Sequence, residues 1–217
     1  VAVHTATTAW EVEGINTRVE LAFVAGKLRD RINEACMPAG GTIVVPGSTW
    51  IEVGVETAPD WTIHPQSVIR TPARIASGVE IGPFAYIRPE TEVAEGAKIG
   101  TFVEVKKSRV GARTKIPHLS YIGDAEIGED TNIAAANVTA NLSPGKPKAR
   151  TRIGSNVRTG VDNTFVAPVE IADDAWIAPG SVITDDVPAG SLAGFASRQE
   201  TKEGWVYEKH GKPDRHS

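Results

Sequence analysis

The stretch Ile81-Gly82-Pro83-Phe84-Ala85-Tyr86-Ile87-Arg88-Pro89-Glu90-Thr91-Glu92-Val93 has an aliphatic residue at 81, 87 and 93, and this beat of six decides the fold. Extended outward it gives Ile51, Thr57, Ile63, Ile69, Ile75, Ile81, Ile87, Val93, Ile99 and Val105, with Ile or Val at nine of the ten positions. The background for Val, Ile and Leu together is roughly one in five, so chance does not produce the run. The register slips by one residue to Val110, Ile116 and Ile122, and again to Ile127 and Ile133. A polar stretch, Asn141 to Arg152, interrupts it before Ile153, Thr159, Phe165, Ile171, Ile177 and Ile183.

A period of six matches neither the 3.6 of a helix nor the 2 of a simple strand. It suits a chain that turns a corner after every hexad, three hexads to a triangular coil, with the aliphatic side chain inside. Gly often follows the aliphatic residue (Gly82, Gly100, Gly111, Gly123, Gly128, Gly154), where a corner or a close backbone approach tolerates no bulk. The fold class is therefore all-β, a left-handed parallel β-helix whose coils stack through parallel hydrogen bonds.

A prism of this kind has open strand edges at its ends, which need covering. Residues 10–36 read as a helical arm or cap, with Val19, Phe23, Leu28, Arg31 and Ile32 at roughly helical spacing. Pro38-Ala39-Gly40-Gly41 breaks it. Three parts are expected: an arm over 1–41, the β-helix over 42–188, and a tail over 189–217 that caps the prism or contacts other subunits.

Hydrophobic residues make up 41% and charged residues 23% of the 217, ordinary for a globular protein. The net charge of −4 argues against a nucleic-acid or anionic-membrane surface. Cys36 is the single cysteine, so no intrachain disulfide forms and a zinc ribbon is excluded. There is no apolar run of about 18 residues and no charged-then-apolar leader, so no membrane insertion is expected, and a cytoplasmic location is. The first residue is Val1 rather than Met, consistent with an excised fragment.

Departures from a repeat are where binding loops are placed. His118 lies two residues past the inward Ile116 and should face outward at a corner. Arg88 and Lys106 are three hexads apart in phase, hence about 5 Å apart on consecutive coils, a candidate phosphate clamp. Glu104 precedes Lys106 by two residues, and Asn132 and the loop 141–152 follow the second slip. Each also has a plain structural reading: solvated surface for the stacked cations, backbone-satisfying turns for the asparagines, a harmless excursion for the loop.

Several blocks resemble one family. They are Ile81 to Pro89; Gly100-Thr101-Phe102-Val103-Glu104-Val105-Lys106-Lys107; Pro117-His118-Leu119-Ser120-Tyr121-Ile122-Gly123-Asp124-Ala125-Glu126-Ile127-Gly128; and Val166-Ala167-Pro168-Val169. Together they resemble the acetyltransferase domain of the bifunctional bacterial GlmU enzymes, in which an N-acetylglucosamine-1-phosphate uridylyltransferase is joined to a glucosamine-1-phosphate N-acetyltransferase. The resemblance runs from about residue 10 to about 206. It includes Glu11 to Arg18, which resembles the end of a uridylyltransferase domain that is otherwise absent here.

The resemblance implies a homotrimer with sites at subunit boundaries, acetyl-CoA as co-substrate, an amino-sugar phosphate as acceptor, and no metal in acetyl transfer. It places His118 on the catalytic base. Arg88 and Lys106 fall on sugar-phosphate ligands with Glu104 beside them, and Tyr121 and Asn132 on sugar contacts. Asn141 and Leu142 fall on a pair lining the acetyl-CoA site, with Ala135, Val161, Pro179 and Arg198 as further coenzyme contacts. The chemistry agrees: a free amine attacks a thioester directly, an imidazole takes the proton, and loop N–H groups such as those of Asn141 and Leu142 could hold the oxyanion.

The sequence departs from the family at Leu142, where a Tyr is usual, at Ala134, Ala136, Val161 and Pro179, and in the loop Ser143-Pro144-Gly145-Lys146. Three other readings therefore stay open. One is a non-catalytic trimeric relic, and another an acyltransferase with a different acyl donor or acceptor. The third is a zinc hydratase on the same prism, which needs three converging His, although only His64 and His118 lie in the repeats.

Overall fold

A computed structural model describes residues 3, 5–142, 144–145, 147–194 and 201–210. The hexads build a three-sided parallel prism. The first face stacks Gly41–Ile43, Trp61–Ile63, Glu80–Ile81, Lys98–Thr101 and Lys115–His118. Single bridges at Asn132 then lead to Arg158–Thr159, Trp176–Ile177 and Leu192–Ala193. The second face runs from Trp50–Ile51 through Tyr86–Ile87, Glu104–Lys106, Tyr121–Gly123 and Val138–Ala140 to Val182–Ile183. The third runs from Glu56–Thr57 to Val169–Ile171.

The residues on the beat point inward. Ile63, Ile69, Ile81, Ile87, Val105, Ile116, Ile122, Ile133, Phe165 and Ile171 are wholly buried in one continuous core. Thr57, the exception in the first run, is only partly covered. Thr139 fills the interior position of the interrupted coil, where the aliphatic beat is silent, and its hydroxyl donates to Gly123 O.

The corners are turned mostly by the third residue after each inward one. Asp60, Gln66, Phe84, Glu90, Phe102, Leu119, Asn156, Asp162 and Asp174 all adopt a left-handed backbone there. The glycines that follow the inward residue mainly permit close approach instead: a Cβ on Gly100 would lie 1.9 Å from Pro117 O on the next coil.

Every departure from period six after Ile51 falls on the corner between the second and third faces. Val105 to Val110 and Ile122 to Ile127 span five residues, and Thr139 to Ile153 spans fourteen. Shortening moves the left-handed residue one place earlier, to Lys107 and to Asp124. The loop 141–150 thus leaves the prism directly above two tightened corners.

The arm is narrower than the expected 10–36. A short 3-10 turn covers Ala9–Val12, and the α-helix is Arg18–Cys36, begun by a capping box in which Thr17 accepts from Glu20 N. Its C-terminal end covers the first coil, where the buried Asn33 donates to Pro46 O and Thr49 O. Val19, Leu21 and Phe23 stay exposed because the first half of the helix projects away from the prism. At the far end the strand Leu192–Ala193 adds a rung past Pro188, where the hexads had ended.

Candidate active site

The second face carries the cationic positions. Tyr86 aligns with Glu104, Ile87 with Val105, and Lys106 with Gly123, so Arg88, Lys106 and Gly123 occupy one outward column on consecutive coils. Arg88 Nη1 donates to Glu104 Oε1 at 2.7 Å, and that bond holds the guanidinium's pKa above its ordinary value. Glu104 therefore anchors Arg88. Among the described residues no carboxylate oxygen lies within 4.0 Å of Lys106 Nζ, which leaves this ammonium with its charge unspent.

Above Lys106 the column has no side chain. A Cβ on Gly123 would sit 2.4 Å from Tyr121 Oη, so glycine makes the room over which the phenol lies. Tyr121 Oη is 3.5 Å from Asn141 Nδ2, and the same amide nitrogen donates to the buried carboxylate of Asp124. The sugar-side candidates Arg88, Lys106, Glu104 and Tyr121 thus share one face, and Asn141 joins them at its corner.

His118 ends the strand Lys115–His118, two residues beyond the buried Ile116, and its side chain is exposed as the spacing predicts. Ser120 Oγ donates to His118 O at 2.7 Å and fixes the turn. The aligned inward positions of this face are Ile116, Ile133, Thr159 and Ile177. Two residues past each stand His118, Ala135, Val161 and Pro179, so the proposed base heads a column that contains the three coenzyme-side candidates. Asp162 N donates to Ala135 O at 2.9 Å and Gly180 N to Val161 O at 2.8 Å, which ties successive members coil to coil. A spacing of about 4.8 Å per coil puts Pro179 about 14 Å along the edge from His118.

Not every candidate is brought together. Asn132 bridges Lys115 and Arg158 on the first face, whereas Lys106 faces out from the second. Leu142 stands exposed on the loop. The Asn141 N–H is bonded to Thr139 O at 2.9 Å, so contrary to expectation it is not available to an oxyanion; the tight turn leaving the strand consumes it. Arg198 lies outside the described residues. His64 pairs with Glu80 at 3.0 Å, three coils from His118, so the two imidazoles do not converge. Among the described residues no three His, Cys, Asp or Glu side chains form a metal-binding group. The sequence assigns Asp124 and Gly123 no role in the site, although the five-residue spacing at Ile122–Ile127 marks their corner.

No family model matches the chain. The bifunctional protein GlmU of Corynebacterium glutamicum (strain R) is 42% identical over 242 aligned positions, covering 96% of this chain and 50% of the relative. That of Mycobacterium tuberculosis (strain ATCC 25177 / H37Ra) is 42% identical over 231, covering 91% and 46%. The chain spans about half the length of the curated relatives it matches. Among solved structures, LpxA from Acinetobacter baumannii superposes with a TM-score of 0.51 at 19% identity over 71% of each chain, a likeness of fold that identifies the prism as a left-handed β-helix. The chain belongs to the GlmU family, as a homologue of the C-terminal acetyltransferase half of those bifunctional proteins.

Proposed function

We propose that the chain transfers acetyl from acetyl-CoA to the amine of glucosamine 1-phosphate. One arrangement carries this reading: a cationic column, Arg88 and Lys106 beside Tyr121, lies on the face adjoining the corner where His118 heads the column of Ala135, Val161 and Pro179. The first can hold a phosphate and the second can flank an extended coenzyme arm. The imidazole belongs to the second column, at the corner that borders the face carrying the first.

The amine nitrogen attacks the thioester carbonyl carbon, forming the C–N bond. His118 takes the proton released from nitrogen, and the tetrahedral intermediate collapses with cleavage of the C–S bond. The proton passes to the departing sulfur, giving the N-acetylated sugar phosphate and CoA thiol. Lys106 and Arg88 keep the phosphate, and with it the amine, in place through both steps. No metal is needed for this sequence.

We place the site at the boundary between copies of a homotrimer. Support comes from Asn132, which within one chain faces away from Lys106 and would meet a sugar only from a neighbouring copy. No helix among the described residues is long and apolar enough to cross a membrane, and we place the reaction in the cytoplasm. A second reading, transfer of an acyl group bulkier than acetyl, is favoured by the exposed apolar side chains of Leu142 and Val161 on the coenzyme side. Thiol release measured over a panel of amino-sugar phosphates and acyl-CoAs separates them. Turnover highest with acetyl-CoA and glucosamine 1-phosphate supports the first reading, and none with any pair rejects both.

A further inference from the structure

We propose that Asp124 is a positioning residue that sets the orientation of the Asn141 amide, and through it the acetyl-donor side of the site. The inference rests on the acetyl-transfer reading above for its kinetic consequence, but its structural basis is independent.

Asp124 is 8% exposed and sits at the tightened corner with φ +50, a conformation Asp tolerates better than most residues. Its backbone is held on both sides: its N–H donates to Lys106 O at 3.0 Å, and its carbonyl accepts from Thr151 N at 3.2 Å. The carboxylate thereby has a fixed origin. It meets Asn141, itself 8% exposed, at the start of the one long excursion in the prism. Ala149 N donates to Asn141 O at 3.0 Å and closes the neck of that loop.

A primary amide has two nearly isosteric ends, and which one faces a substrate decides whether it donates or accepts. An ionised carboxylate only accepts. With Asp124 and the phenol oxygen of Tyr121 both on one side, Nδ2 is turned to them and Oδ1 is left as an outward acceptor. Such an acceptor suits an N–H of the coenzyme's amide arm. Replacing the carboxylate by an amide removes the compulsion, because Asn at 124 can present either atom and Asn141 can then turn over.

The test is a double-mutant cycle on the full chain with Asp124→Asn, Asn141→Ala and the pair. Asp124→Asn is expected to raise the acetyl-CoA KM about tenfold, to raise the glucosamine 1-phosphate KM no more than about threefold through the 3.5 Å contact of Asn141 with Tyr121, and to have no further effect in the Asn141→Ala background. Equal changes in both KM values, or an effect that persists without the Asn141 amide, overturn the proposal and make Asp124 a staple of the loop. A chain labelled with 15N-asparagine supplies an arm that needs no activity. The Asn141 side-chain amide signals, identified by their loss in Asn141→Ala, are expected to shift in Asp124→Asn; unmoved signals overturn the proposal even if the wild type proves inactive. Absence of acetyl transfer by the wild type with shifted signals counts against the functional reading alone.

Discussion

Arg88 Nη1 reaches Glu104 Oε1 at 2.7 Å across adjacent coils, while Lys106, next in the same column, has no carboxylate within 4.0 Å among the described residues. The two cations of the proposed clamp are therefore unequal. Arg88 is held in place and partly neutralised, and Lys106 presents its full charge.

Arg88→Ala should raise the glucosamine 1-phosphate KM about tenfold with little change in the acetyl-CoA KM. The variant loses one charge-assisted contact to the phosphate and leaves Lys106 to hold it alone. Steady-state kinetics with each substrate varied in turn checks this. A rise confined to acetyl-CoA would place the clamp on the wrong substrate.

Gly123→Ala puts a Cβ where Tyr121 Oη now lies, 2.4 Å away. The obstructing atom is the end of a side chain, so the ring should swing out and the prism survive. We expect a melting temperature within about 5 °C of wild type, together with a sugar-phosphate KM raised several-fold, matching Tyr121→Ala. A full-length melt paired with the same kinetics decides it; an unaffected KM would remove Tyr121 from the sugar site.

How far these features could be read in advance varies along the chain. The beat from Ile51 to Val105 gave the inward column residue by residue, because hydrophobic burial at a fixed period is a property of the sequence itself. The outward direction of His118 followed from its distance to Ile116. Thr139 was invisible because a hydroxyl bonded to Gly123 O fills an interior position without an aliphatic signal. Asp124 and its bond to Asn141 were invisible for another reason: the partners are joined across a corner whose tightening shows only as a slip of one residue. The use of the Asn141 N–H by Thr139 O is likewise a turn geometry that spacing does not carry.

Ile122→Ala should destabilise the fold by about 2–5 kcal/mol, since the side chain is wholly buried between coils that cannot collapse onto the space. Denaturant unfolding checks the value. A loss below about 1 kcal/mol would mean that the prism interior is not close-packed at the coil bearing the site.

Glu80 bonds Lys98 and His64, and these partners hold its pKa below the ordinary value, Lys98 contributing most. A depressed carboxylate pKa gives stability that is present above the unfolded pKa and lost as pH falls through the folded one. Glu80→Gln should therefore flatten the fall in melting temperature on acidification below the ordinary carboxylate range, leaving the neutral-pH melt slightly lower. Parallel melting curves for variant and wild type throughout would show that the triad contributes nothing.

The central claim is that the imidazole at the head of the coenzyme-side column removes the proton from an attacking amine. It is tested most directly by thiol release from acetyl-CoA with glucosamine 1-phosphate at saturating concentrations, comparing wild type with His118→Ala. The account predicts a fall in kcat of about 10²-fold or more with the melt of the variant unchanged. Undiminished turnover in the variant would contradict it.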